Sequence, residues 1–330
     1  MYEMNILVTG GCGFIGSNFI NDHFLKNKNS FIVNMDALYY CADVNNVNEN
    51  IRESERYKFI HGNICDYNLM INTLKDNNID TIIHFAAQSH VQDSFTDSSK
   101  YVQDNIVGTH TILEASRNYG KIKRLIHIST DEVYGESLFS DKFQKDEQSV
   151  LCPTNPYAAT KASAELLASS YYHSFKLPVI ITRGNNVYGP NQYPEKLIPR
   201  FIKLLKENKK VTIQGDGSNV RAFLHVLDVA SAIEHILYKG EIGETYNIGS
   251  DENEEYTVYE IAKILIKMIH STNSQTSFNN DEEFEKYIEY IKDRPFNDKR
   301  YFISNEKLKL LGWNITIPFL TGIRDLINVS

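Results

Sequence analysis

A short apolar run, Asn5–Thr9, leads directly into Gly10-Gly11-Cys12-Gly13-Phe14-Ile15-Gly16 and then into a helical pattern. The G-x-x-G-x-x-G spacing between a strand and a helix constrains this chain more than any other feature. One glycine turns tightly, one lets the backbone approach a ligand, and one lets the helix pack on the strand. Glycine triplets also occur in ordinary strand–helix turns, but this one opens a series of βα units. Further strands are expected at Phe31–Met35, Tyr57–Ile60, Thr81–Phe85, Arg124–Ser129 and Val179–Thr182. Helices are expected at Gly16–Leu25, Tyr67–Asp76, Val102–Tyr119 and Pro156–Phe175. The alternation, with strands apolar throughout, predicts an α/β fold: a Rossmann-type doubly wound parallel sheet covered on both faces.

After about Arg183 the rhythm changes. Apolar spacing predicts a helix within Glu195–Glu207 and another within Thr257–Ser271. Short strands are expected at Val211–Gln214, Phe223–Val226 and Thr245–Ile248, with a helix over Asp228–Tyr238. The polar stretch Ser271–Glu283 reads as an exposed loop. The expected organisation is a Rossmann domain over 1–182 with return segments near 225–249, and a smaller α+β domain over most of 183–330. A cleft lies between them.

Composition narrows the function. With 42% hydrophobic and 23% charged residues, the 330-residue chain can bury a sizeable core. A net charge of -8 without a long Lys/Arg block argues against nucleic acid or an anionic membrane as partner. No apolar run reaches the roughly 18 residues of a membrane span, and the chain start reads as a first strand, not a leader. Cys12, Cys41, Cys65 and Cys152 form no C-x-x-C pair, and the histidines form no H-x-x-x-H or H-x-H pair. Neither a disulfide framework nor a metal site is expected, and a reducing, cytoplasmic location is.

The glycine loop places free helix N–H groups where a pyrophosphate would sit. Phe14 and Ile15 lie within it. Asp36 ends the second strand, 20 residues after Gly16. A carboxylate there accepts from both ribose hydroxyls and repels a 2′-phosphate, which favours NAD over NADP. Asn63 and Ile64 end the third strand and could flank the adenine, or simply pack there. Phe85, Ala86 and Ala87 end the fourth, where small residues let a dinucleotide pass close to the backbone.

Two further constellations carry chemistry. Tyr157 and Lys161 form a Y-x-x-x-K pair one turn apart, following the helix-start signal Asn155-Pro156. A fixed cation beside the phenol is expected to lower its pKa towards use as a base. The fifth strand ends Ser129-Thr130-Asp131-Glu132 at the same cleft. An acid and a base in different environments can serve one elimination. A surface Tyr–Lys pair and a solvated Asp-Glu pair are the plain alternatives.

Together the glycine loop, Asp36, Phe85-Ala-Ala, Ser129-Thr-Asp-Glu-Val-Tyr-Gly135 and Tyr157-x-x-x-Lys161 resemble an extended short-chain dehydrogenase/reductase. Within that class the chain is similar to the nucleoside-diphosphate-glucose 4,6-dehydratases, closest to eukaryote-type members, including the dehydratase part of plant rhamnose synthases. Supporting stretches include Asn186-Val-Tyr-Gly-Pro190, Tyr193-Pro-Glu-Lys-Leu-Ile-Pro199, Tyr246-Asn247-Ile-Gly249 and Leu311-Gly-Trp313. The resemblance implies tightly held NAD, a UDP-glucose or dTDP-glucose substrate, and a 4-keto-6-deoxy-glucose product on the way to rhamnose-type sugars. It implies that Tyr157, with Lys161 and Thr130, handles the C4 hydroxyl proton, that Glu132 takes the C5 proton, and that Asp131 protonates the leaving C6 hydroxyl. Ser129, Tyr157 and Lys161 would also touch the cofactor. It assigns Arg221 and Arg294 to the diphosphate, Asn186, Lys196, Leu197 and Asn247 to the nucleotide sugar, and Ser89 and Thr130 to the hexose. A homodimer pairing Val102–Tyr119 and Pro156–Phe175 across a two-fold is implied as well. A 4-epimerase or UDP-glucuronate decarboxylase shares much of this pattern, but Asp131 weighs against both. A non-enzymatic NAD sensor would not need the Tyr–Lys pair.

Overall fold

The computed structural model describes residues 3–251, 254–273, 278, 280–293 and 295–329. Twelve strands occur among them: β1 (Met4–Thr9), β2 (Ser30–Asp36), β3 (Tyr57–His61), β4 (Thr81–His84), β5 (Arg124–Thr130), β6 (Val179–Gly184), β7 (Asn186–Tyr188), β8 (Val211–Gln214), β9 (Val220–His225), β10 (Thr245–Ile248), β11 (Glu255–Thr257) and β12 (Ile288–Ile291). Seven form one sheet in the order β10-β6-β5-β4-β1-β2-β3. Every pairing in it is parallel. From β1 the chain builds outward through β2 and β3, then returns to place β4 on the other side of β1. That reversal opens a crevice beyond the C-terminal ends of β1 and β4.

The apolar strands bury both faces. Ile6, Val8, Ile32, Ile83, Ile126 and Ile180 pack on one side with Phe19, Val229, Ile233 and Trp313, from the helices Phe14–Lys26 and Val226–Lys239 and the chain's last part. Leu7, Val33, Ile82, Leu125 and Val179 pack on the other with Leu74, Ile112 and Ala168, from the helices Tyr67–Asp76, Gly108–Tyr119 and Pro156–Phe175. β10, far along the chain, joins the sheet edge beside β6.

Most expected elements form. The Pro156–Phe175 helix begins where its signals place it: the Asn155 side chain accepts from the Ala158 N–H at 2.8 Å, with Pro156 in the first turn. Val102–Tyr119 is helical throughout, but Val102–Val107 is a π-helical turn before the α-helix Gly108–Tyr119. The stretch Ser271–Glu283 is not all loop. The Val258–Asn273 helix runs into it, and Asn280 caps a short helix, Asp281–Glu285, whose Phe284 is buried. Residues 274–277 and 279 lie outside the described residues.

The remaining part holds β11-β9-β7 and the parallel pair β12-β8. The helices Leu197–Lys206, Val258–Asn273 and Phe319–Val329 supply its own core, with Ile198, Phe201, Leu265 and Ile323 buried. Among the described residues no helix is long and apolar enough to cross a membrane.

Candidate active site

Two chambers, of about 240 and 440 Å³, meet at the C-terminal ends of the central strands. Their shared border includes Ser89, Ile128, Ser129, Tyr157 and Lys196.

The smaller chamber is built on the glycine loop. Gly10 has φ +73°, and a Cβ there would lie 2.6 Å from the Ala86 nitrogen. A Cβ on Gly16 would lie 2.4 Å from the Gly10 carbonyl oxygen. These two glycines therefore keep β1, the following helix and the end of β4 in close approach. Gly13, Phe14 and Ile15 line the chamber, and no side chain caps the helix that begins at Phe14. Asp36 closes the far end. Its Oδ2 accepts from the Cys12 N–H at 2.9 Å and its Oδ1 from the Leu38 N–H at 2.8 Å. Burial pushes its pKa up, and the two backbone donors oppose that shift. Asn63, Ile64, Phe85, Ala86, Ala87 and Lys161 complete the lining. Asn63 is held by its contacts to Tyr39 and the Cys65 N–H. The cradle that Cβ atoms would fill, and a carboxylate fixed at a strand end, fit a dinucleotide with a free ribose diol.

The larger chamber lies between the sheet and the smaller part. Ser89, Thr130, Glu132, Asn186, Lys196, Leu197 and Arg221 all line it. The Lys196 ammonium donates to the Ser89 carbonyl at 2.8 Å, and Arg221 donates to Asn297 and lies over the Tyr301 ring. One expected residue, Asn247, is not brought there. Asn247 is fully buried in β10, and its amide is used by Tyr134 and the Lys145 carbonyl. It supports the sheet edge, not the chamber. Arg294 lies outside the described residues.

The acid pair follows β5. Glu132 lines the large chamber, and its Oε2 accepts from Asn155 at 3.0 Å and from the Tyr301 hydroxyl at 3.4 Å. Asp131 is only 2% exposed and lines neither chamber. It touches the chamber wall through Thr130 at 3.3 Å and Asn185 at 2.6 Å. Burial, reinforced by the Glu132 charge, lifts the Asp131 carboxyl from 3.8 to about 7. Glu132 is also raised, mainly by burial, with Asn155 and Arg221 opposing.

The electrostatics of Tyr157 differ from expectation. Its phenol is raised, chiefly by burial and then by the Glu132 charge, while Thr130 works the other way. Lys161 does not offset this. Its ammonium donates to the Ile128 carbonyl at 2.6 Å, and burial lowers it from 10.5 to about 8. Desolvation penalises phenolate and ammonium alike, so sharing a helix face does not by itself yield a low-pKa tyrosine.

Asn185, Asn155 and Tyr301 are parts of the site that the sequence reading missed. Asn155 could have been noticed as more than a helix cap; the other two carry no local signal.

A parallel sheet with its reversal beside a glycine loop, and a Tyr–Lys helix at the cleft, define an extended short-chain dehydrogenase/reductase. Residues 7–326 match the family described as GDP-mannose 4,6 dehydratase, and the chain belongs to that family. It is 45% identical to the dTDP-D-glucose 4,6-dehydratase of Dictyostelium discoideum, over 98% of this chain and 80% of that protein. It is 47% identical to a trifunctional UDP-glucose 4,6-dehydratase/3,5-epimerase/reductase of Arabidopsis thaliana, over 97% of this chain but 46% of that longer protein. The dTDP-glucose 4,6-dehydratase of Bacillus anthracis in complex with NAD superposes with TM-score 0.86 at 39% identity, covering 98% of this chain and 96% of that one.

Proposed function

We propose that the protein is an NAD-dependent nucleotide-sugar 4,6-dehydratase that removes water from UDP-glucose or dTDP-glucose to give the 4-keto-6-deoxy sugar. One observation carries the reading: two carboxyl groups in unequal environments stand beside Tyr157 where a dinucleotide chamber meets a larger one. NAD, when bound, supplies the acceptor and later the donor of one hydride, so none is consumed overall.

The chain's own groups move the protons. Tyr157 Oη takes the proton of the C4 hydroxyl, with Thr130 orienting the sugar. The 4-ketone acidifies the C5 hydrogen, and Glu132, exposed to the chamber, removes it. Asp131, mostly protonated below about pH 7, gives its proton from its Thr130 side to the C6 hydroxyl, which leaves as water. One elimination needs one protonated and one ionised carboxyl; burial raises both, the Glu132 charge raises Asp131 further, and Asn155 and Arg221 favour an ionised Glu132, which supports that division. Arg221, Lys196, Leu197 and Asn186 would hold the diphosphate side, and Ser89 the hexose. Asp36 would select NAD.

We further infer an NAD-binding unit over residues 1–182 with return segments near 225–249, a substrate unit over most of 183–330, and a homodimer. Val102, Val107, Leu166 and Phe175 are exposed on the two helices that would pair. The four cysteines are free, which suits a reducing, cytoplasmic location.

The test is incubation of the purified enzyme with UDP-glucose and dTDP-glucose in parallel. The expected product has lost one water, absorbs after alkali as 4-keto-6-deoxy sugars do, and forms without net NADH. A product of unchanged mass, as an epimerase gives, would overturn the reading. Light scattering showing a monomer at micromolar protein would remove the dimer.

A further inference from the structure

Asp131 is the most buried group of the proposed chemistry, and its two oxygens are treated differently. Oδ2 accepts a hydrogen bond of 2.6 Å from Asn185 Nδ2. Oδ1 accepts a longer one, 3.3 Å, from the Thr130 hydroxyl, a group that can also turn to accept. Thr130 and Asn185 both line the large chamber.

Asn185 itself cannot turn over. It follows β6, its backbone N–H donates to the Ile248 carbonyl at 3.1 Å, and its Oδ1 accepts from the Ser250 N–H at 2.9 Å. Flipping the amide would set its oxygen against the Asp131 carboxyl and its NH2 against the Ser250 N–H, losing both bonds. The end of β10 therefore dictates that an N–H faces Asp131 Oδ2.

From this we infer that Asn185 is a positioning residue for the catalytic acid: by occupying Oδ2 as a donor, it directs the transferable proton of Asp131 to Oδ1, on the Thr130 side where the sugar would lie. The Asn185 NH2 can only donate, so a proton on Oδ2 would meet another hydrogen, whereas the Thr130 hydroxyl can turn a lone pair towards a proton on Oδ1. The inference rests on the reading of Asp131 as the acid. It adds a second consequence, because a donor to the carboxylate favours the ionised form and holds the acid's pKa below what burial alone would set.

The groups that bear on this titration come from several elements. Glu132 follows on the same turn and opposes ionisation, Arg221 on β9 favours it, and Tyr157 on its helix is coupled to Asp131. Asn185 is neutral, so replacing it leaves these charges in place.

The experiment compares Asn185→Leu and Asn185→Ser with the wild-type enzyme. Three quantities are read on NDP-glucose: formation of bound NADH, release of dehydrated product, and the pH profile of product release. For Asn185→Leu, bound NADH should form as in wild type and then accumulate, while product release falls about 10- to 100-fold, part of the roughly 10²–10⁴-fold that a general acid contributes. The alkaline limb of product release should move up by about one pH unit, because a stabilising donor to the anion is gone. Asn185→Ser keeps a donor, so its limb should lie nearer wild type; it also carries the test if the leucine variant does not fold. Loss of NADH formation in step with product release, or an unmoved limb in both variants, overturns the inference. Asp131→Asn, run in parallel, separates the levels. If it turns over normally, Asp131 is not the acid and the underlying reading fails. If it stalls with bound NADH while both Asn185 variants behave as wild type, only the positioning role fails.

Discussion

Replacing Gly10 by alanine is a direct test of how the dinucleotide chamber is built. Gly10 sits at φ +73°, and an added Cβ would stand 2.6 Å from the Ala86 nitrogen and 2.7 Å from its Cα. An L-residue in that backbone region costs about 1–2 kcal/mol. The clash is with backbone at the end of β4, which no rotamer change relieves, and overpacking of that kind costs about 1–3 kcal/mol more. Together that is roughly 2–5 kcal/mol, and at about 2 °C or more per kcal/mol the melting temperature should fall by at least about 4 °C. Gly13→Ala is the matched control. Its φ is −78°, and its Cβ would meet only the Gly10 carbonyl, at 3.3 Å. Thermal unfolding of nucleotide-stripped protein isolates the fold, and nucleotide released on denaturing the purified protein reports cofactor retention. Gly10→Ala should lose stability and NAD together, whereas Gly13→Ala should melt near wild type. A Gly10→Ala protein that melts with wild type and still carries NAD would refute the reasoning, as would two variants equally destabilised.

Three other outcomes are expected. Asp36→Ala should weaken NAD binding and narrow the preference over NADP, measured by titrating each dinucleotide; an unchanged ratio counts against Asp36 as the selector. Tyr157→Phe should form no bound NADH on substrate, while Asp131→Asn combined with Glu132→Gln should form it and stall; the reverse pattern overturns the division of labour, and each single substitution should be read beside the double. Asp131→Asn should also change the pH dependence of folding. The folded-state pKa, about 7, lies above the ordinary value of 3.8, so the stability contributed by the protonated acid is complete below the ordinary value and lost as pH rises through about 7. The variant should therefore gain in melting temperature relative to wild type between about pH 4 and about pH 8, and parallel curves would contradict it.

The sequence made some parts of this molecule plain and hid others. The six strands of the first half and the glycine loop with Asp36 were legible because their signals are local: apolar runs, a fixed spacing, a strand end. β7 and β11 span three residues each, too few for a period of two to register. The Asp281–Glu285 helix hides in a polar stretch because one apolar side chain, Phe284, anchors it. Asn247 was drawn to the substrate by its motif, but a motif fixes position and not direction. Its side chain turns to Tyr134, 113 residues away. Asn185 was missed for the converse reason, since its importance lies in a contact with Asp131 across 54 residues. The shift of Tyr157 depends on burial and on neighbouring carboxylates, which pairwise spacing does not report.

The placement of β10 bears on how the molecule is made. A ribosome delivers the first six sheet strands long before Thr245–Ile248 emerges, and until then β6 presents an open edge of backbone donors and acceptors. The Val226–Lys239 helix, whose Val229, Ile233 and Ile236 share one core cluster with Ile6 and Ile180, arrives equally late. A nascent chain stopped near residue 182 would thus carry a sheet missing one strand and part of its cover. Such a fragment is a template for pairing with other chains rather than a stable unit. The late segments act as the closing step of synthesis, since the β6 edge and part of one sheet face are covered only once they arrive.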